Sequence, residues 1–147
     1  MRDSRLRDSI SNKLGKLFRV MARTYNKALV PFEISSVQAH ILATLWIDGS
    51  MTIGELQARL MLGSSTLTGA IDRMERAGLL KRLPVEGDRR AYKLAPVTWS
   101  AKKAEALMET LATTEDHVFR GLTAAERRTL SALLEKALVP LAGDDDD

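Results

Sequence analysis

The chain has 147 residues, 45% of them hydrophobic and 28% charged, which is typical of a globular protein with one domain, or one domain and an added oligomerisation part. It has no cysteine and no apolar run of about 18 residues, which excludes disulfides, thiolate chemistry and a helical membrane span, and its charged start lacks the apolar block of a signal peptide. The net charge is +3, yet residues 71–103 alone hold nine Lys or Arg and four acids, which suits a polyanionic partner and equally a solvated basic face.

A predicted amphipathic helix covers residues 5–29. Apolar residues recur in it at helical spacing, from Leu6 and Ile10 to Tyr25 and Leu29, and Pro31 ends the pattern because proline interrupts the hydrogen bonding of a helix. Such a stripe at the start of the chain requires cover, which comes either from the rest of this chain or from a second copy.

Two capping boxes mark the next helix starts. Ser35 with Gln38, and Thr52 with Glu55, have the spacing in which each side chain bonds the backbone N–H of the other residue. We therefore predict one helix after residue 35 and a short one over about 53–60.

A third helix of this group is predicted between Gly63 and Gly78. Ser64 is a good N-cap, and Gly78 fits the left-handed position that commonly follows a helix. Two short helices separated by a tight glycine-containing turn indicate a helix-turn-helix. The predicted buried side of the third helix consists of Leu67, Ala70, Ile71 and Met74.

A β-hairpin is predicted directly after this helix. Residues 79–83 and 90–94 read as strands, and residues 84–89 as the loop that joins them. A hairpin in that position is a wing, and the end of this one is rich in arginine.

Two further helices are predicted after the hairpin. Thr98 is expected to cap a helix that reaches about Arg120, and Thr123 with Glu126 matches a third capping box. The last helix carries an apolar stripe over 130–141, and Pro140 and Gly143 are expected to end it. Residues 144–147 are four aspartates, which we predict to be a disordered acidic tail that aids solubility or competes with a polyanion for the basic face.

The stretch Ser65–Leu80, followed by Asp88-Arg89-Arg90, resembles the recognition helix and Asp-x-Arg wing of the multiple-antibiotic-resistance regulator (MarR) family of bacterial transcription factors. The match extends over nearly the whole chain. The resemblance implies a mainly α fold with a small β-hairpin, in which residues 35–97 form a winged helix-turn-helix. It implies that residues 1–34 and 98–143 hold dimerisation helices, and that the protein is a cytoplasmic homodimeric regulator without a cofactor, more commonly a repressor.

Residues 94–100 depart from the family pattern. The family usually runs directly from the second wing strand into a helix start, whereas this chain inserts a segment that contains Pro96. Because proline is excluded from a helix interior, this insertion puts the family's pocket geometry in doubt more than its DNA binding.

The predicted partner is double-stranded DNA. Two copies of the DNA-binding unit, about 34 Å apart, are expected to bind a pseudo-palindromic operator. Small residues at the start of the recognition helix let the backbone approach the major groove, and Arg73 lies where it can meet phosphate or guanine. Arg90 is assigned to the minor groove and Arg89 to phosphate, while the resemblance implies that Asp88 orients Arg90. For Ser64 the alternative is a simple cap, and for the wing it is an exposed charged tip. The candidates are Ser64, Ser65, Thr66, Thr68, Gly69, Arg73, Asp88, Arg89 and Arg90.

A small-molecule effector is a further expectation of the resemblance. Family members often bind aromatic or anionic ligands between the dimerisation helices and the DNA-binding lobe. Candidate lining residues are Met21, Tyr25, His40 and Trp46, for which ordinary core packing is the alternative.

An enzyme is not expected. Neither His40 nor His117 belongs to a nucleophile motif or a His-Glu-x-x-His motif, and charged helix surfaces produce clusters like 115–117 by chance, so no metal is assigned. The alternatives to a DNA-binding regulator are a winged-helix protein-interaction module and a purely structural helical dimer. The arginine-rich wing argues against the module, because a protein-binding surface has more exposed aromatic and aliphatic residues.

Overall fold

The structure is a computed structural model that describes residues 4–99 and 101–142. Within these ranges the chain is mainly helical with one antiparallel β-hairpin, which confirms the predicted fold class. Among the described helices there is no candidate for a membrane-spanning segment. The elements in chain order are α1 (Ile10–Ala28), α2 (Ser36–Asp48), α3 (Ile53–Leu60), α4 (Ser64–Arg76), β1 (Leu80–Val85), β2 (Asp88–Pro96), α5 (Ala101–Val118) and α6 (Ala124–Leu138).

The three predicted capping boxes are formed at α2, α3 and α6. At α3, the Thr52 N–H donates to the Glu55 carboxylate at 2.8 Å, and the Glu55 N–H donates to the Thr52 hydroxyl at 3.1 Å. This backbone hydrogen bond is the main reason that the pKa of Glu55 is held below its usual value. Each box satisfies amides that would otherwise lack partners at the helix start, so short polar signals set these boundaries.

The first helix begins later than predicted. Ser9 is its N-cap and accepts a hydrogen bond from the Asn12 N–H at 3.1 Å, whereas residues 4–6 form a separate 3-10 turn. Pro31 lies in a second 3-10 turn, Val30–Phe32, directly after the helix. The apolar stripe correctly indicates the helix, but it carries no information about the Ser9 cap.

The predicted Ser64 cap is wrong. Gly63 is the N-cap of α4, and its carbonyl accepts the first helical hydrogen bond from Leu67 N–H at 3.0 Å. Ser64 is therefore already the first helical residue. The predicted left-handed Gly78 is confirmed, with φ of +72°.

The hairpin is longer than predicted, and this moves the start of α5. The strands close around Glu86 and Gly87 (φ +84°), and β2 continues to Pro96, which pairs with Leu80. The Val97 N–H still donates to the Leu79 carbonyl at 2.9 Å. Because the chain is tied to the hairpin there, the predicted cap at Thr98 is wrong and α5 begins at Ala101.

One core joins the winged region to α5. The predicted buried side of α4 is confirmed, since all four of its residues are buried. Backbone hydrogen bonds between Met51 and Leu94 add the segment before α3 to the edge of the hairpin. The largest fully buried side chains are Leu29, Ile41, Leu42, Leu56, Leu67, Ile71, Met74, Leu94 and Leu107.

The terminal helices leave apolar faces uncovered by the single chain. Phe18 on α1 is 70% exposed and Leu133 on α6 is 59% exposed. No described residue of α6 is buried. The predicted stripes thus exist, and this chain buries only the end of the first one itself, at Tyr25 and Leu29. Other apolar residues exposed on these segments include Leu6, Ile10, Leu14, Leu134, Leu138 and Leu141.

Candidate nucleic-acid interface

The start of α4 presents a polar surface and a free helix end. Ser64, Ser65, Thr66 and Thr68 are exposed, while the opposite side of the helix is buried in the core. Because the N-cap Gly63 has no side chain, no side-chain hydrogen bond caps this helix, in contrast to α2, α3 and α6. Uncapped first-turn amides and the positive end of the helix dipole favour a phosphate group.

Gly69 makes room for the side chain of Arg73. A Cβ atom built at Gly69 would lie 3.3 Å from a terminal guanidinium nitrogen of Arg73, closer than most real contacts. The arginine therefore lies back along the helix toward its N-terminal end, as long side chains on helices do. The sequence suggested that Gly69 lets a groove approach the backbone, and the structure gives it this second role.

The wing tip is organised through the main chain. A carboxylate oxygen of Asp88 accepts a hydrogen bond from the backbone N–H of Arg90 at 2.9 Å. Arg89 and Arg90 are exposed, and neither side chain has an acidic partner among the described residues. The carboxylate thus fixes the turn while both guanidinium groups stay available.

Arg82 connects the wing to α4, and sequence reasoning missed it. Its Nε atom donates to the Glu75 carboxylate at 2.9 Å, and a terminal nitrogen lies 3.4 Å from the Asp72 carboxylate. The guanidinium carbon also lies 4.5 Å from the ring centroid of Tyr92 on the second strand. Exposed ion pairs of this kind contribute only about 0–1 kcal/mol to stability. We therefore assign Arg82 the role of orienting the wing relative to α4.

These contacts also determine which charged side chains of α4 and the wing remain without an ion-pair partner among the described residues. Arg82 occupies the two acids of α4, and Asp88 is engaged with the backbone, whereas Arg73 and the two wing-tip arginines have no acidic partner within the described ranges. The spacing of Asp72 and Glu75 places them one turn apart on one helix face, a signal that they share a partner. Nothing in the spacing identifies that partner as a strand residue.

A cavity of about 280 Å³ lies between α1, α2, α5 and α6. We call it the interhelical cavity. Three of the four predicted ligand residues line it, and the fourth, Trp46, does not: its ring lies 5.4 Å from that of Trp99, which in turn stacks on Phe32. The inserted segment places Trp99 against Trp46, so Trp46 packs with the core and does not line the cavity. The lining residues are Met21, Tyr25, His40, Glu115, Phe119, Arg127, Leu130, Ser131 and Leu134.

Asp116 and His117, near the end of α5, are used in side-chain contacts. Asp116 forms an ion pair with Arg127, and the ring of His117 lies 3.4 Å from Arg120. Within residues 4–99 and 101–142 no three His, Asp or Glu side chains are grouped so as to hold a metal ion.

Comparison with known proteins places the chain among regulators. The model of the MarR family matches residues 34–92. The HTH-type transcriptional regulator PecS of Dickeya dadantii is 32% identical over 135 residues, which cover 86% of this chain and 81% of PecS. The multiple antibiotic resistance protein MarR of Escherichia coli is 28% identical over 130 residues, covering 85% and 90% of the two chains. A mutant of E. coli MarR complexed with operator DNA has the same fold, with a TM-score of 0.81, 24% identity and coverage of 94% and 99%.

Proposed function

The chain belongs to the MarR family of transcriptional regulators, and from this premise we propose that it binds duplex DNA as a homodimer at a pseudo-palindromic operator. The observation that carries the proposal is the pairing of two exposed features that suit phosphate: the polar start of α4 with Arg73, and the arginine-rich wing tip. Arg82 connects the helix to the hairpin that carries that tip. This arrangement suits a helix in the major groove with an arginine in the adjacent minor groove.

Each surface residue then has a role. Ser65, Thr66 and Thr68 meet base edges or phosphates where the recognition helix enters the groove, and Gly69 permits close approach. Ser64 contributes its free backbone N–H rather than a cap. Arg73 and Arg89 neutralise phosphates, Arg90 enters the minor groove, and Asp88 sets the turn that presents it.

The dimer arises from residues 1–34 and 98–143, and residues 35–97 form the DNA-binding unit. Exposed side chains such as Phe18 and Leu133 need a partner surface, and a second copy supplies a matching one. Two recognition helices then meet one face of the duplex about 34 Å apart. The protein works in the cytoplasm, where bacterial DNA is found, and represses by occupying its operator.

Duplex binding and its salt dependence test this function directly. Affinity for random duplex DNA is expected to fall by about a thousandfold or more between roughly 50 and 200 mM salt, because phosphate contacts release counterions. Fluorescence anisotropy at several salt concentrations measures this slope. A protein-interaction module or a purely structural dimer predicts no duplex affinity at any salt concentration, so that result would reject the proposal. Selecting bound genomic fragments supplies the operator for the next measurement.

Thr68→Ala is expected to lower the preference for the operator more than the affinity for random DNA. A lost base contact costs about 1–3 kcal/mol at the specific site and almost nothing elsewhere. The ratio of the two dissociation constants, measured at one salt concentration, reports this preference. Thr113→Ala on α5 removes an exposed threonine whose hydroxyl bonds its own helix, and serves as the matched control. Equal losses on operator and random DNA would contradict the specifying role of Thr68.

The interhelical cavity is the proposed effector site. It touches α1, α5 and α6, which carry the dimer contacts, and α2, which belongs to the DNA-binding unit. If the dimerisation helices and the DNA-binding unit take up two arrangements, a ligand bound there makes different contacts in each. Such a difference is required for ligand binding to be coupled to DNA release.

A further inference from the structure

The positive charge in the interhelical cavity is already neutralised. One terminal nitrogen of Arg127 donates to the Asp116 carboxylate, and the other lies 3.3 Å from the Asp116 backbone carbonyl. Both ends of the guanidinium fork therefore face a single residue of α5. An anion that entered the cavity would compete with a carboxylate for these donors.

The negative charge in the cavity is not neutralised. Glu115 lines it, and its carboxylate makes no ion pair or hydrogen bond with any residue in the described part of the chain. Its charge reaches the cavity wall: burial first, and Glu115 second, raise the pKa of the Tyr25 hydroxyl above its usual value. With Arg127 offset by Asp116, the described residues that line the cavity leave an excess of one negative charge.

The remaining wall offers aromatic faces and a hydrogen-bond acceptor. Tyr25 and Phe119 supply rings, and the ring of His40 lies 5.7 Å from that of Tyr25. Nδ1 of His40 lies 2.7 Å from the Ser36 carbonyl oxygen. Because a carbonyl only accepts, Nδ1 must carry the proton, and in the neutral ring Nε2 is left as an acceptor. Aromatic faces and acceptors are the surroundings that an organic ammonium group prefers.

We infer that the interhelical cavity selects a small aromatic cation, not the anion that the family resemblance suggests. Its volume of about 280 Å³ accommodates one ring with a short amine-bearing chain, since a cavity of about 150 Å³ is enough to hold benzene. The ammonium group meets Glu115, and the ring lies among Met21, Leu130 and Leu134. That this ligand is an effector rests on the proposed function, whereas its binding does not depend on DNA.

Calorimetric titration of the DNA-free full chain tests the inference with three probes that share a phenylethyl group: 2-phenylethylammonium, 2-phenylethanol and 3-phenylpropanoate. The ammonium is expected to bind about tenfold or more tightly than the carboxylate, because only it gains the charged hydrogen bond to Glu115. Stronger or equal binding of the carboxylate, or no binding of the ammonium, would overturn the assignment.

Glu115→Gln is expected to remove this preference by weakening ammonium binding about tenfold. Glu109→Gln removes the same charge from an exposed position on the same helix that does not line the cavity, and should leave both affinities unchanged. Arg127→Gln is expected to have the opposite effect, because it removes a positive charge and leaves the charge of Asp116 unbalanced, so ammonium binding should strengthen. Circular dichroism checks that each variant is folded. A preference for the ammonium that survives in Glu115→Gln sinks the inference.

The two proposals fail in different ways. If the ammonium binds as expected but the protein has no affinity for duplex DNA, the cavity assignment stands and the regulatory function is rejected. If the protein binds its operator but prefers the carboxylate probe, the function stands and the inferred ligand class is wrong.

Discussion

Arg90→Ala is expected to weaken duplex binding by about two orders of magnitude while the dimer stays intact. A well-placed arginine at DNA contributes about 1–3 kcal/mol, and a dimer carries two copies. The side chain is exposed and has no acidic partner among the described residues, so its removal should leave folding nearly unchanged. Anisotropy titration with the operator measures the loss, and sedimentation velocity measures the oligomeric state.

The control for Arg90 removes an equal charge from α1, which is not part of the proposed DNA interface. Arg23 is exposed on α1, and Arg23→Ala lowers the net charge by the same amount without touching the proposed interface. Comparing the two separates a specific wing contact from general attraction between a basic protein and DNA. Undiminished binding by Arg90→Ala, or an equal loss in Arg23→Ala, would remove Arg90 from the interface.

Local signals predicted the elements that position the interface. Capping boxes such as Thr52 with Glu55 fixed helix starts because both partners lie within one turn. The buried side of α4 followed from periodicity, and Gly78 followed from the need for a left-handed residue after the helix. The Ser64 cap failed because Gly63 and Ser64 compete for the same position, and propensity alone favours the serine.

Contacts between distant segments could not be predicted in the same way. The Arg82 contact joins a strand to a helix, and the extension of β2 to Pro96 depends on pairing with Leu80 across the hairpin. The cavity also depends on how α6 returns toward α1 and α2, which brings Arg127 to Asp116. The residues were visible in the sequence, but their pairing depends on packing over many residues. The prediction that Trp46 lines the cavity is wrong for the same reason, since Trp46 packs against Trp99 from a later part of the chain.

The double substitution Phe18→Glu with Leu133→Glu is expected to convert the dimer into folded monomers. Burial of each such side chain contributes about 1.5–3 kcal/mol, and the dimer would lose four of them. The dissociation constant of the dimer should therefore rise by about four orders of magnitude or more, before the cost of burying the new carboxylates is counted. Sedimentation equilibrium measures the change, and circular dichroism checks folding, since both side chains are exposed in the single chain.

A charge on an exposed apolar residue elsewhere provides the matched control. Ile47 is 68% exposed, as Phe18 and Leu133 are, but it lies on α2 within the DNA-binding unit, so Ile47→Glu should remain a dimer. The monomeric double variant keeps the start of α4, Arg82 and the wing, so each lobe retains the weak, salt-dependent affinity of a single unit. Operator binding by linked units benefits from the high effective concentration of the second unit, and the monomer loses this advantage. A double variant that stays dimeric, or a monomer that binds the operator as tightly as the original protein, would contradict the assignment of the terminal helices.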